Sequence, residues 1–539
     1  MRRWPPSAEA LSLPRRPCRI AAGAAIGAAV AAVIVLLFRA IIAAAAMQAS
    51  QTASATDIGH LLRMTTIQAG LSTALSIAVG IALAWALNRL RFPGRSVVVG
   101  LFASAIVTPG LIVAFGLLTV WGRSGWIGDV VRTLGIHLDI PIFGLGGILA
   151  AHLILDGAFA ARILLARLDA LPEARLKTGQ SLGLSAWTRF AVIDWPAMRP
   201  TLPGLAAIIF LLAFTSFPIV LLLGGGPANQ TLEVAIYSAV RLDFDLHAAV
   251  ALALVQVAVC AIIIVASALL APFPSSLGPI AEQRWRDAPG ARALQWGILA
   301  VCIAGFAVPL IAVLAGLAGG GLAALLARPA FWAATATSIA IATASAGLTL
   351  LLALGLAMGR AAVARRGFRL LLLAPAYTYL AVPAMVLALG FFLLVRGLGI
   401  TPERAGPPVV VLANALLSLP FAMAAVGPPL DAIARGHGRL IRSLGLSGTQ
   451  QFGLVEWPLV GRDVGVVLAL AFCFSLGDLG VISLFGTPDF TTLPLLLVEA
   501  LGAYRTNDAA VIAALMLVAT VVAFTALPPV LERLSRARA

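Results

Sequence analysis

Long apolar stretches alternate with short polar ones along almost the whole chain. Runs with little or no charge fall at roughly 20–47, 64–88, 97–121, 142–166, 203–224, 246–270, 294–317, 331–359, 369–396, 407–428, 463–485 and 508–530. A helix needs about 20 apolar residues to cross the hydrocarbon core of a bilayer, and each run meets that length. The pattern predicts an all-α polytopic membrane protein with about twelve transmembrane helices. Arg2, Arg3, Arg15, Arg16 and Arg19 precede the first run, and Ala53-Ser54-Ala55 follows it. A basic start suits a signal peptide, but the run is longer than the roughly 7–15 residues of a signal core, so an uncleaved first span is expected.

The polar segments test this count. With the N-terminus in the cytoplasm and strict alternation, about 28 of the 37 basic residues fall on the cytoplasmic side. They include Arg89, Arg91, Arg95, Arg365, Arg366, Arg533, Arg536 and Arg538. Such asymmetry is the positive-inside rule, and one miscounted span would destroy it. Both termini are then cytoplasmic. Trp121 and Trp126 fall where an outer interfacial belt is expected.

Two of the polar segments are copies of each other. Ser181-Leu182-Gly183-Leu184-Ser185 leads to Ile193-Asp194-Trp195-Pro196; Ser443-Leu444-Gly445-Leu446-Ser447 leads to Val455-Glu456-Trp457-Pro458, 262 residues later. Asp169-Ala170 and Asp431-Ala432, and Phe190 and Phe452, keep the same offset. This is an internal duplication. Pro172 and Glu173 suit the first turn of a short helix. Gly183 and Gly445 suit the left-handed residue that closes a helix. Ser185 and Ser447 can cap a second helix, Ser447 with Gln450 as a capping box. Pro196 and Pro458 disfavour helix in the residues before them. Each copy, 169–200 and 431–462, therefore reads as helix, glycine turn, helix, stop. Both are cytoplasmic in the topology above, with six spans between them, so the halves are expected to be two parallel six-helix repeats. Pro109 and Gly116 echo Pro383 and Gly390, and Thr231-Leu232 echoes Thr492-Leu493. The lobes are expected at 1–270 and 294–539, joined by a cytoplasmic linker at 271–293.

Composition narrows the function. The chain is 61% hydrophobic and 11% charged. Its net charge of +15 borders the spans rather than forming a nucleic-acid patch, so no nucleic acid is expected. Cys18, Cys260, Cys302 and Cys473 lack the spacing of a disulfide framework or metal site. The only lysine, Lys177, follows Leu176, so no Gly-Lys-Ser/Thr of an ATP-binding loop is present. Asp478, within Ser475-Leu476-Gly477-Asp478-Leu479-Gly480, lies inside the eleventh run. A carboxylate there costs about 2.5–3.5 kcal/mol, so it faces a cavity or partner, or caps a helix broken at its flanking glycines. His152 and Asp156 share a helix face and read as a structural pair. Tyr237, Tyr504 and Arg505 border external loops, placed for interfacial anchoring or for contact with a delivered ligand. No Ser-His-Asp order, catalytic carboxylate pair or metal spacing occurs, so no catalytic residue, cofactor or metal is expected.

The duplicated segments resemble the EAA loops of ABC importer permeases. Gly183, Ile193 and Pro196, and Gly445, Val455 and Pro458, fit that spacing, with Trp195 and Trp457 in place of the usual leucine. Lys177-Thr178-Gly179 and Arg439-Leu440-Ile441 replace the Glu-Ala-Ala part. Nearly the whole chain resembles the fused, two-lobed permeases of thiamine/thiamine-pyrophosphate ABC importers. The matching stretches are Arg91-Phe92-Pro93-Gly94-Arg95, Gly224-Gly225-Gly226-Pro227, Leu232-Glu233-Val234-Ala235-Ile236-Tyr237, Gly477-Asp478-Leu479-Gly480, Phe490-Thr491-Thr492-Leu493-Pro494 and Gly502-Ala503-Tyr504-Arg505. The resemblance implies the type I importer (MetI-like) permease fold in a bacterial inner membrane. It implies a periplasmic binding protein that delivers substrate, and two copies of a separate ATPase that grip the two loops. It also implies import of thiamine or its phosphates by alternating access. Ferric-iron permeases are similar and fused. An ion-coupled secondary transporter also suits two parallel halves of six spans, but has no need of twin glycine-proline loops.

Overall fold

In hydrocarbon every backbone N–H and C=O must find a partner within the protein, which leaves helices and closed barrels as the ways to cross. The computed structural model of this chain describes residues 17–48, 57–122, 125–135, 141–270, 287–363 and 365–537. Among these, helices dominate, and extended pairing is limited to an isolated bridge between Thr487 and Phe490. The arginines before Pro17, the Ala53-Ser54-Ala55 stretch, most of the expected linker and Arg538 lie outside the described residues.

Eleven helices among the described residues are long and apolar enough to span a membrane, and the chain is a multi-pass membrane protein. The ninth expected span is not among them. It forms two shorter helices, Arg366–Thr378 and Ala384–Gly397, parted just before Pro383. The third is divided in the same way, into Arg95–Ala103 and Gly110–Trp121, with Pro109 at the break. Both prolines are extended, at φ −59°, ψ 133° and φ −61°, ψ 149°. A proline has no N–H to give the preceding turn, so the second piece starts afresh from it. The fifth span divides into Leu202–Phe214 and Pro218–Leu223, the eleventh into Trp457–Leu476 and Gly480–Phe485. These four breaks occupy corresponding places in the two halves.

The halves exchange their first helices. Pro17–Gln48 packs on the eighth and ninth spans, and Pro289–Ala315 packs on the second and third. Each contact closes on a glycine. A Cβ on Gly23 would sit 2.9 Å from Gly359 Cα, and one on Gly116 would sit 2.6 Å from the Pro309 carbonyl oxygen. Lipid tails are as apolar as leucine, so close backbone approach through small residues is what holds such helices together. The second halves of the repeats are seated alike. Leu232 N–H donates to Thr65 Oγ1 at 3.0 Å, and Leu493 N–H donates to Ser338 Oγ at 2.7 Å.

Candidate functional site

Two regions concentrate polar chemistry: the pair of hairpins at one end of the bundle, and a cavity between the halves.

In the first hairpin, Glu173–Ser181 is closed by Gly183 at φ +65°. Leu184 N–H then reaches back to the Gly179 carbonyl at 3.3 Å, the six-residue closure of a Schellman turn. In the second, Gly438–Ser443 is closed by Gly445 at φ +62°, and Leu446 N–H reaches the Ile441 carbonyl at 3.2 Å. Ser185 Oγ accepts from Thr188 N–H at 3.1 Å. Ser447 Oγ accepts from Gln450 N–H at 3.3 Å while Gln450 Oε1 accepts from Ser447 N–H at 2.9 Å, the capping box expected from the spacing.

The expected stop before Pro196 and Pro458 does not occur. Both prolines lie in the first turn after a π-helical turn, Phe190–Asp194 or Phe452–Glu456, and the helix runs on into the membrane. A proline ring collides with the carbonyl four residues back in an α-helix; the wider π turn moves that carbonyl away. Ile193 is buried and Val455 packs at the edge of the core, so these positions tie the hairpins to the bundle.

Acidic residues at equal offsets anchor both hairpins. Asn88 Nδ2 donates to Asp169 at 2.9 Å, and Arg360 donates to Asp431 at 2.7 Å with Arg369 alongside at 2.8 Å. Asp194 is ion-paired to Arg89 at the end of the second span. Glu456 is instead held by Arg19, at 2.7 Å, whose other nitrogen donates to the Gly448 carbonyl at 2.7 Å. Arg19 belongs to the exchanged first helix. Asp287, just before the other exchanged helix, lies 3.6 Å from both Arg89 and Arg189. Outside these anchors the hairpins expose Leu182, Trp187 and Val192, and Leu440, Leu444 and Leu454.

The second region is a cavity of about 370 Å³ where all four helix breaks meet. Residues 105–110, 215–216, 379–380, 382–384 and 477–478 bring those breaks to its wall. Irregular backbone at membrane depth is tolerated where it lines a cavity, which is the arrangement here. The fourth span adds His152, Asp156 and Phe159, and the tenth adds Asn414, Ser418 and Phe421. His152 Nδ1 lies 3.1 Å from Asp156 Oδ2. Asp478 combines both roles open to it in the sequence. Its Oδ1 accepts from Val481 N–H at 3.3 Å, capping Gly480–Phe485, while the residue also lines the cavity. Its Oδ2, with His152 Nε2 and Ser418 Oγ, is buried with no protein partner.

Tyr237, Tyr504 and Arg505 do not line this cavity. Tyr237 packs on Phe217 with ring centroids 5.3 Å apart. Tyr504 is 90% exposed, at φ +58°, and Arg505 lies 3.5 Å from Asp508. Sequence reasoning missed Asn414, Ser418 and Ser216 as cavity residues. The signal was there: applying the 262-residue offset to His152 and Asp156 lands on Asn414 and Ser418, and applying it backwards to Asp478 lands on Ser216.

No family model matches the chain. It is 34% identical over 474 residues to the thiamine transport system permease protein ThiP of Salmonella typhimurium, covering 86% of this chain and 88% of that protein. It is 32% identical over 468 residues to the ThiP protein of Haemophilus influenzae, covering 85% and 86%. The molybdenum transport system permease protein ModB of Azotobacter vinelandii is 29% identical over 175 residues, 32% of this chain and 76% of that protein. The two near full-length ThiP matches agree with the duplicated hairpins and the type I importer architecture, and the chain belongs to the family of thiamine transport system permease proteins.

Proposed function

We propose that this chain is the permease subunit of an ABC importer that carries thiamine and its phosphates across the bacterial inner membrane. The observation that carries the reading is the pairing of two equivalent hairpins at one end of the bundle with a cavity lined by the helix breaks of both halves. A separate ATPase subunit, in two copies, docks on the two hairpins, whose turns are set by Gly183 and Gly445, whose entry into the membrane is set by Pro196 and Pro458, and which Ile193 and Val455 pin to the bundle. Exposed Leu182, Trp187, Leu444 and Leu454 supply apolar contact for it. Rigid hairpins transmit its closure through packing, rocking lobes 1–270 and 294–539 against each other. A periplasmic binding protein delivers substrate at the opposite end, with exposed Tyr504, the adjacent Arg505 and, in the first half, Tyr237 as its contacts. Substrate crosses through the cavity beside Asp478. The hydrolysis of ATP is the partner's, since Lys177 is not in an ATP-binding loop.

The hairpins and both termini face the cytoplasm. Cysteines introduced beside Gly183 and Gly445 are then protected from an impermeant thiol reagent in sealed cells, and efficient labelling of either rejects the orientation. The substrate is tested in a strain unable to make thiamine. Deleting this chain raises its need for external thiamine by orders of magnitude, and unchanged growth on trace thiamine defeats the reading.

A further inference from the structure

A cavity built by two copies of one fold starts out two-fold symmetric. The apolar wall keeps that symmetry at a spacing of 262 residues, in Leu155 and Leu417, Phe159 and Phe421, and Leu212 and Phe474. The polar wall does not. His152 faces Asn414 in the equivalent place, Asp156 faces Ser418, and Ser216 faces Asp478. Each half thus contributes one carboxylate, but from a different helix: the fourth span in the first half, the eleventh in the second. Among the described residues no arginine or lysine lines the cavity, and the basic side chain beside a carboxylate there is His152 at Asp156.

We propose that Asp156, oriented by His152, and Asp478 form a single recognition site for a planar organic cation, one carboxylate from each half. The proposal rests on the transport reading above and specifies which groups select the substrate.

The chemistry favours an organic cation over a metal ion. Ferric-type and other hard cations need six or so oxygen ligands in a tight shell. The wall here is mainly apolar, and among the described residues no three His, Cys, Asp or Glu side chains converge to hold a metal. A ring whose charge is delocalised gives up less hydration on entry. It also gains from the aromatic side chains Phe159, Phe421 and Phe474 on the wall. His152 is 3% exposed and its Nδ1 lies against Asp156. With Nδ1–H donating to that carboxylate, Nε2 is left as an acceptor without a protein partner. It suits an amino group on an aromatic ligand. Because the carboxylates sit on different halves, any rocking of the halves changes their separation. The site weakens as they part.

The test is equilibrium dialysis of labelled thiamine against the purified permease–ATPase complex without the binding protein, so that the binding protein's own selectivity does not enter. The competitor is the neutral isostere in which carbon replaces the charged ring nitrogen. Wild type is expected to prefer thiamine over the isostere by roughly tenfold or more per charge contact. Asp156→Asn and Asp478→Asn each lower that preference by roughly tenfold, and the double variant binds both ligands alike. Asp156→Glu retains the preference, which a purely structural role for the residue does not require. Should one asparagine variant fail to assemble, the other still reads the contribution of its half, and Ser216→Lys must abolish thiamine binding while sparing the isostere. An unchanged preference in an assembled Asp156→Asn complex overturns the split site but leaves the transport reading standing. Normal thiamine uptake by cells lacking this chain overturns the reading itself.

Discussion

The first half seats its hairpin with Arg89 on Asp194, two residues of the same half, whereas the second seats its hairpin with Arg19, a residue from the start of the other half, on Glu456. The acidic residue keeps its place in the repeat and its arginine does not. A buried carboxylate at the π turn needs a cation with good geometry, and either a neighbouring helix or an exchanged one can provide it. The glycine turns show the opposite behaviour: Gly183 and Gly445 agree within a few degrees of φ. Side-chain partners can be replaced from any direction in space, while a left-handed backbone position strongly favours glycine. The cavity follows the first rule, since its carboxylates moved between helices while its apolar residues stayed in register.

The anchors give the largest contrast. Arg89→Ala strands Asp194, whose side chain is fully buried, and is expected to destabilise the first hairpin by about 3–5 kcal/mol. Arg19→Ala leaves Gln451 still bonded to Glu456, and should cost about 1–3 kcal/mol. Thermal unfolding of both purified variants in detergent measures the difference, and equal losses would show that the two anchors are interchangeable. Asp194→Asn in the Arg89→Ala background should recover part of the loss, because it removes the stranded charge.

The turns should behave alike. A Cβ at Gly183 or Gly445 meets nothing within 4 Å, so a substitution there acts through backbone strain alone. Valine at either position is expected to cost about 1–3 kcal/mol locally and to uncouple ATP hydrolysis from transport, with the spans still inserted. Co-purification of the ATPase and transport in reconstituted vesicles read this out. Full coupling in both variants would remove the hairpins from the mechanism.

At the cavity, Asp478→Asn keeps the cap on Gly480–Phe485 and deletes the charge. Transport should fall by roughly tenfold while assembly with the ATPase persists. Ser216→Ala, the equivalent position in the first half, should change transport by less than about twofold. Equal effects would mean that position rather than charge matters.

The exposed surfaces of the hairpins differ at Trp187, which is 76% exposed and stacked on Phe190, with the small Thr449 in its place in the second hairpin. Trp187→Ala should weaken ATPase binding by about 1–2 kcal/mol, and Thr449→Ala by much less. Titration of the detergent-purified permease with the ATPase distinguishes them.

Much was legible in the residues alone, and for a common reason. The apolar runs, the glycine turns and the Ser447–Gln450 capping box depend on interactions within a few residues, where spacing and side-chain type suffice. The 262-residue repeat added the parallel halves. Reading Pro196 and Pro458 as stops failed because the remedy, a π turn, is an alternative local backbone that propensity does not foretell. The break inside the ninth run is a further case: Pro383 was visible, but only the cavity makes a broken helix tolerable there.

Tertiary packing decided the rest. That Pro17–Gln48 lies against the opposite half, through Gly23 and Gly359, follows from the fit of two helix surfaces more than 300 residues apart in the chain. That His152 and Asp156 face the same space as Asp478, while Tyr237, Tyr504 and Arg505 stand elsewhere, depends on how the six spans of each half are rotated about their axes. In a helix apolar on every side, periodicity does not say which face turns inward. Only contact between helices, where glycines and buried polar groups find their neighbours, sets that rotation and with it the composition of the cavity.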